Sequence, residues 1–215
     1  MKLKVCGITQ PAQLQQLDDL HIHYAGLIFY DQSARCITNK LKAADIQPLH
    51  LSLKKVGVFV NAGEEEIMSQ VEDFGLDIVQ LHGDETPGFC NHISDHVTVI
   101  KAFRITHTNE QNIDWMIKPY EEYCDYYLFD TNRKNAYGGT GEKFDWKILQ
   151  RNKINKPFFL SGGIGVKDIE KLKAFEHPFF YAVDVNSRVE TEPGIKDIDA
   201  VRQLIDGLFP ADTVD

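Results

Sequence analysis

The chain has 215 residues, of which 43% are hydrophobic and 26% charged, so an ordinary globular core is expected and intrinsic disorder is not. A formal net charge of -9 opposes a nucleic-acid footprint, which needs clustered Lys and Arg; a small anionic ligand remains compatible, since a few backbone amides and one or two arginines suffice to hold it. No apolar run approaches a membrane span, the start Met1-Lys2-Leu3-Lys4 lacks a secretory apolar region, and four cysteines without a C-x-x-C pair point to a reduced, cytoplasmic protein with no metal site.

In chain order, strand-like runs at 3–6, 24–28, 55–60, 78–81, 99–103, 126–130, 158–161 and 181–185 alternate with helix-like stretches at 11–20, 40–48, 64–74, 87–93, 109–117, 146–151, 166–175 and 198–208. Strands separated by helices need crossover connections, which make a parallel sheet. Val56-Gly57-Val58-Phe59-Val60 and Ile78-Val79-Gln80-Leu81 are nearly continuous apolar runs, as expected of strands buried on both faces. Strand ends recur about every 25 residues, the spacing of a lightly decorated (β/α)8 TIM barrel. The expected division is one barrel over 1–209 with a short tail at 210–215. An open doubly wound sheet is the alternative, but Cys6-Gly7-Ile8-Thr9 stands where its G-x-G-x-x-G would be.

In a parallel barrel the chemistry sits at the C-terminal strand ends. Those positions hold Cys6, a loop with Ser33 and Arg35, Asn61, His82, Arg104, Asp130, Ser161-Gly162-Gly163 and Asp184-Val185-Asn186-Ser187-Arg188. The run Tyr126-Tyr127-Leu128-Phe129-Asp130 reads as a strand delivering a carboxylate to the glycine-rich loop Gly138-Gly139-Thr140-Gly141; the plainer reading is an Asx turn followed by a flexible connection. Glycines after strand seven and the Asn186-Ser187 pair after strand eight occupy the common phosphate site of such barrels. Cys6 is either a small buried hydrophobe or, as a thiolate, a base or nucleophile. Cys36, Cys90 and Cys124 read as structural, and no Cys or His pair has zinc-ligand spacing.

Taken together, Cys6-Gly7-Ile8-Thr9, Gly26-Leu27-Ile28-Phe29 with Ser33-x-Arg35, Val56-Gly57-Val58-Phe59-Val60-Asn61, Gln80-Leu81-His82-Gly83, Phe129-Asp130, Gly138-Gly139-Thr140-Gly141 with Phe144-Asp145-Trp146, Ser161-Gly162-Gly163 and Asp184-Val185-Asn186-Ser187 resemble the phosphoribosylanthranilate isomerase family, over nearly the whole chain. The resemblance implies a single barrel performing an Amadori rearrangement in tryptophan biosynthesis, without metal or organic cofactor, on a small phosphorylated substrate and with no obligate protein partner. It implies that Asp130 is the general acid, protonated near neutral pH, and that Cys6 is the general base, a ready thiolate. It further implies that Arg35 receives the anthranilate carboxylate, that Gly162, Gly163, Asn186 and Ser187 hold the phosphate, and that Asp184 and His82 line the sugar and ring region.

Two positions depart from the family pattern. Ala34 stands where proline is common, so the Arg35 loop is expected to be less rigid. Arg188 replaces a glycine and reaches either the phosphate, solvent, or Glu190 and Glu192. Two other readings compete: a related phosphate-binding barrel such as indole-glycerol-phosphate synthase, for which Lys101 would be the acid, and a non-catalytic barrel that binds a phosphorylated metabolite or a partner protein.

Overall fold

Eight short apolar runs pair side by side in chain order, and the last closes on the first. The computed structural model describes residues 1–106, 112–131 and 145–210. The strands are β1 (Lys2–Cys6), β2 (Tyr24–Ile28), β3 (Lys54–Phe59), β4 (Ile78–Leu81), β5 (Thr98–Ile105), β6 (Tyr126–Thr131), β7 (Phe158–Leu160) and β8 (Phe180–Val185), all parallel in one closed barrel. Closure is made by β1 on β8, with Lys4 in register with Asp184. The open doubly wound sheet is thereby excluded.

Helices cover the outside: α1 (Pro11–Asp19), α2 (Ala43–Ile46), α3 (Glu64–Phe74), α4 (Pro87–Ser94), α5 (Ile113–Ile117), α6 (Lys147–Gln150), α7 (Ile169–Lys173) and α8 (Ile198–Leu208). Local chemistry sets several boundaries. α3 begins with Glu64, Glu65 and Glu66 at its positive end and stops at Gly75, whose φ of 57° lets Leu76 donate back to the Val71 carbonyl at 2.9 Å. Thr86 caps α4 by accepting from Phe89 N, and Asp197 caps α8 by accepting from Ala200 N. α1 starts with Pro11, whose missing N–H costs nothing at that position.

Several elements differ from expectation. α2 is a single turn of four residues, and the 166–175 stretch splits into a 3-10 turn (Val166–Asp168) and the short α7. β5 is longer than expected, so Arg104 is a strand residue. A small hairpin, β9 (Glu190–Glu192) and β10 (Ile195–Lys196), follows β8 where only a loop was expected. Its sequence signal is Pro193-Gly194, since Pro fixes φ in a turn and Gly194 takes a φ of 90°. The Gly138-Gly139-Thr140-Gly141 loop, residues 109–111 and 211–215 lie outside the described residues.

Period-two alternation divides the strand side chains into two sets. Leu3, Val5, Leu27, Phe59, Leu81, Phe103, Phe129 and Val183 pack outward beneath the helices. Tyr24, Val56, Ile78, Ile100, Leu128, Phe159 and Ala182 fill the barrel, and Cys6, Ile28 and Val58 lie above them. No helix among the described residues is long and apolar enough to cross a membrane.

Candidate active site

The same alternation turns Lys4, Cys6, Gln80, His82, Arg104, Asp130 and Asp184 into the barrel at or near its C-terminal mouth. Cys6 is the last residue of β1 and Asp130 the last but one of β6, three strands apart round the eight-strand ring. Gly26 leaves room for the thiol: a Cβ there would come 2.7 Å from Sγ. Gly7, with a φ of 79°, turns the chain directly after Cys6, and Gly7 N and Ile8 N both donate to the Gly26 carbonyl.

Beneath the thiol, Asp184, expected at the site, is held in a buried ionic group whose other member, Lys4, sequence reasoning missed. Lys4 Nζ donates to Asp184 Oδ1 at 2.8 Å, and Ser161 Oγ donates to Asp184 Oδ2 at 2.9 Å. Lys4 is fully buried and Asp184 is 5% exposed. Burial would depress the Lys4 ammonium, yet Asp184 and the Cys6 thiol beside it raise it above its ordinary value. Removing one member of such a pair leaves an uncompensated buried charge. Lys4→Met is therefore expected to lower unfolding stability by about 3–5 kcal/mol, with most of the loss recovered in Lys4→Met/Asp184→Asn; denaturant midpoints of the three proteins check this.

Cys6 does not match the expectation of a ready thiolate. Burial pushes its thiol above the ordinary value; Lys4 and Lys196 pull it back, while Asp184 adds to the rise. Burial also holds the thiols of Cys90 and Cys124 up, at about 11 and about 12, and both belong to the outward-packed core, in keeping with their structural reading.

On the other side of the mouth, Asp130 Oδ2 lies 3.4 Å from His82 Nε2, and the opposite ring nitrogen, Nδ1, is 2.7 Å from Gln80 Nε2. Arg104 Nη2 donates to the His82 carbonyl at 2.8 Å. Among the described residues, the group beside Asp130 is thus an imidazole rather than a second carboxylate, and the Asp130 side chain is 27% exposed. Asn61, in the left-handed region at a φ of 53°, is used structurally: its N–H donates to Glu85 Oε1 and its Oδ1 accepts from Asp84 N.

The Arg35 loop is pinned without proline. Arg35 N donates to Ser33 Oγ, Ile37 N to the Ile28 carbonyl, and Lys40 Nζ to the Ala34 carbonyl at 2.5 Å. The guanidinium grips Glu190, Nε at 2.9 Å from Oε1 and Nη2 at 2.6 Å from Oε2. Glu190 also accepts from Lys196 Nζ at 2.5 Å. Burial would raise its carboxyl, but Arg35 and Lys196 hold it below the usual carboxylate range. Glu190 and Lys196 are further site neighbours that sequence reasoning did not assign.

Gly162 and Gly163, with φ of 104° and 64°, follow β7 after Ser161. Their N–H groups have no acceptor among the described residues. Asn186 uses Oδ1 to accept from Lys196 at 2.9 Å, and Ser187 beside it is exposed. Arg188 is exposed, with its stem against Gly165, where an added Cβ would meet Arg188 Cβ at 2.8 Å. Glu190, one of the partners considered for it, is taken by Arg35 and Lys196.

Lys101 is placed otherwise than the synthase-like alternative requires. It has the outward parity of Val99 and Phe103, and its Nζ donates to Leu81 O, Gly83 O and Glu85 Oε2. All three ammonium protons are engaged outside the barrel. Among the described residues no group of three His, Cys, Asp or Glu side chains is placed to hold a metal ion.

A closed parallel barrel with a thiol, a carboxyl group, an arginine and two left-handed glycines gathered at its C-terminal mouth has the architecture of a barrel enzyme. Residues 3–207 match the family described as N-(5'phosphoribosyl)anthranilate (PRA) isomerase. The N-(5'-phosphoribosyl)anthranilate isomerase of Parabacteroides distasonis is 42% identical over 210 residues, covering 95% of this chain and 92% of that one. The crystal structure of phosphoribosyl anthranilate isomerase from Thermotoga maritima is similar with a TM-score of 0.82 at 32% identity, covering 97% of this chain and 98% of that one. A phosphoribosyl anthranilate isomerase in complex with reduced 1-(o-carboxyphenylamino)-1-deoxyribulose 5-phosphate is similar with a TM-score of 0.79 at 30% identity, with the same coverage. The chain belongs to the phosphoribosylanthranilate isomerase family and is an isomerase.

Proposed function

We infer that this chain converts N-(5-phosphoribosyl)anthranilate to 1-(2-carboxyphenylamino)-1-deoxyribulose 5-phosphate, a step of tryptophan biosynthesis, by acid-base catalysis between Asp130 and Cys6. The observation that carries the residue assignment is the placement of these two side chains, both facing inward and three strands apart at the mouth of the barrel. A substrate spanning that mouth meets an acid at one side and a base at the other. A related isomerase holds a reduced form of the product, which supports the same ligand here.

The chemistry divides as follows. Asp130 gives a proton to the furanose ring oxygen; the bond from that oxygen to C1 breaks, and the anilino nitrogen forms a C1=N iminium. Cys6, as thiolate, takes the proton from C2, and the electron pair moves through C1 to nitrogen to give an enaminol. Protonation at C1 and loss of the C2 hydroxyl proton give the ketone. C2 is acidic only after ring opening, so the acid acts first.

The phosphate is assigned to the amides of Gly162 and Gly163, which have no acceptor among the described residues, with Asn186 and Ser187, and exposed Arg188 adjoins them. Arg35 receives the ring carboxylate, a task suited to its planar fork. Asp184 and His82 line the space between. The working unit is the barrel of residues 1–209, and its four free cysteines fit a reducing cytoplasm.

The test is the fluorescence of freshly prepared substrate followed in the presence of the protein. Rapid loss of the substrate signal, with product verified by mass and chromatography, is expected. A protein that binds the substrate without turning it over would be the non-catalytic barrel instead.

A further inference from the structure

Arg35 and Glu190 are 155 positions apart in the chain and meet in a two-point contact. Glu190 spends both carboxylate oxygens on one edge of the guanidinium, Nε and Nη2. A guanidinium has a second two-donor edge, formed by Nη1 and the remaining Nη2 proton. No described residue accepts from Nη1. Arg35 is 20% exposed at its side chain while Glu190 is 4% exposed, so the occupied edge lies against a buried carboxylate and the second edge is the one left for a ligand.

Glu190 is itself held on the far side. Lys196, whose side chain is fully buried, bridges Glu190 Oε1 at 2.5 Å and Asn186 Oδ1 at 2.9 Å. Gly194 N donates to Glu190 Oε1 at 3.1 Å. The hairpin carrying both residues is fastened to the start of the chain: Gln13 bonds the N–H and carbonyl of Lys196, and Thr9 Oγ1 donates to the Gly194 carbonyl. A Cβ at Gly7 would come 2.7 Å from Arg35 Cδ and 2.8 Å from Asn186 Oδ1, so the two ends of this chain of bonds flank the residue next to Cys6.

We propose that Glu190 is a positioning residue for substrate recognition: by fixing the Nε–Nη2 edge of Arg35 it presents the opposite edge to the ring carboxylate, and through Lys196 it ties that receptor to Asn186 of the phosphate loop. The inference rests on the assignment of Arg35 as carboxylate receptor. Rigid placement matters because a receptor misaligned by about 1 Å costs up to about 10²-fold. Holding both ends of the substrate in one bonded frame fixes its centre over the thiol.

The experiment compares the wild-type protein, Glu190→Gln and Arg35→Ala on two substrates, phosphoribosylanthranilate and phosphoribosylaniline, which lacks the ring carboxylate. Glu190→Gln keeps the shape and one acceptor oxygen while losing the charge. It is expected to raise KM for the carboxylated substrate about 10- to 100-fold, with a smaller change in kcat, and to cost the aniline substrate, which keeps only the link through Asn186, distinctly less. Equal losses on both substrates would make Glu190 merely structural, and an unchanged KM would also overturn the proposal. A lowered KM would make Glu190 a placeholder that the substrate carboxylate displaces. If Arg35→Ala keeps the preference for the carboxylated substrate, the Arg35 assignment fails; if Arg35→Ala loses it and Glu190→Gln does not, only the positioning role fails. Should Glu190→Gln not fold, Glu190→Asp, which keeps the charge but retracts the fork by one methylene, carries the same comparison.

Discussion

Alanine in place of Cys6 is expected to lower kcat by about 10²- to 10⁴-fold, the range that a positioned general base contributes, while KM changes far less. The thiol sits against Ile28, Val58 and Gly26, and its loss removes one atom from that layer. The stability cost is then on the order of 1 kcal/mol, too small to explain the loss of rate at ordinary temperature. The pH dependence separates a base from a packing residue. Burial raises the folded thiol above its ordinary value, so the thiolate is the minor form at neutral pH and grows as pH increases. The ratio of wild-type to Cys6→Ala kcat/KM should therefore climb through pH 7 to 9, since the contribution of Asp130 is common to both proteins and only the wild type gains thiolate. A thiolate of raised pKa is also a stronger base, which suits proton removal from carbon. The cations of Lys4 and Lys196 keep that rise from becoming prohibitive. Turnover that survives alanine at this position would leave the reaction in place and remove Cys6 from it.

The barrel was legible because each strand is an apolar run followed by a helix with recognisable ends, and because no competing fingerprint follows β1. The regular positions of Cys6, His82, Asp130 and Asp184 were legible for the same reason: three are the last inward residues of their strands, and His82 directly follows β4 in the same alternation. Period-two alternation also contained more than was drawn from it. Counting back two residues from Cys6 reaches Lys4, and from His82 reaches Gln80, so both inward polar partners were marked in the sequence. The same count places Lys101 with Val99 and Phe103 on the outer face, which excludes it as an acid in the barrel. Glu190 and Lys196 were a different matter. Their roles depend on the β9–β10 hairpin folding back against Thr9 and Gln13, a contact between opposite ends of the chain that no local pattern encodes. Only the Pro193-Gly194 turn announced it. The raised Cys6 thiol was equally unreadable, since it is a balance of burial against two lysines and one carboxylate that exists only once the strands are assembled.

Asparagine in place of Asp130 is expected to lower kcat by about 10²- to 10⁴-fold, and its diagnostic is where the loss falls in the reaction. The amide has nearly the shape of the carboxyl group but has no proton to give to the ring oxygen, so the furanose stays closed and C2 never becomes acidic. The side chain is 27% exposed and, among the described residues, packs in no buried ion pair, so the fold and the thermal midpoint should be preserved. His82 gives the comparison its control: with Nε2 at 3.4 Å from Asp130 Oδ2 and Nδ1 against Gln80, it is placed to orient the carboxyl group, and if Asp130 is the proton donor, changing His82 should cost less than changing Asp130. Solvent exchange of the C2 proton distinguishes the two catalytic groups directly. In deuterated water, Cys6→Ala can open the ring but cannot exchange at C2, whereas Asp130→Asn stops one step earlier and accumulates no open-chain iminium. A substrate analogue already in the open-chain form would restore turnover to Asp130→Asn and not to Cys6→Ala. If the analogue restores neither protein, or restores both, then the division of labour between β1 and β6 is not the one their positions suggest.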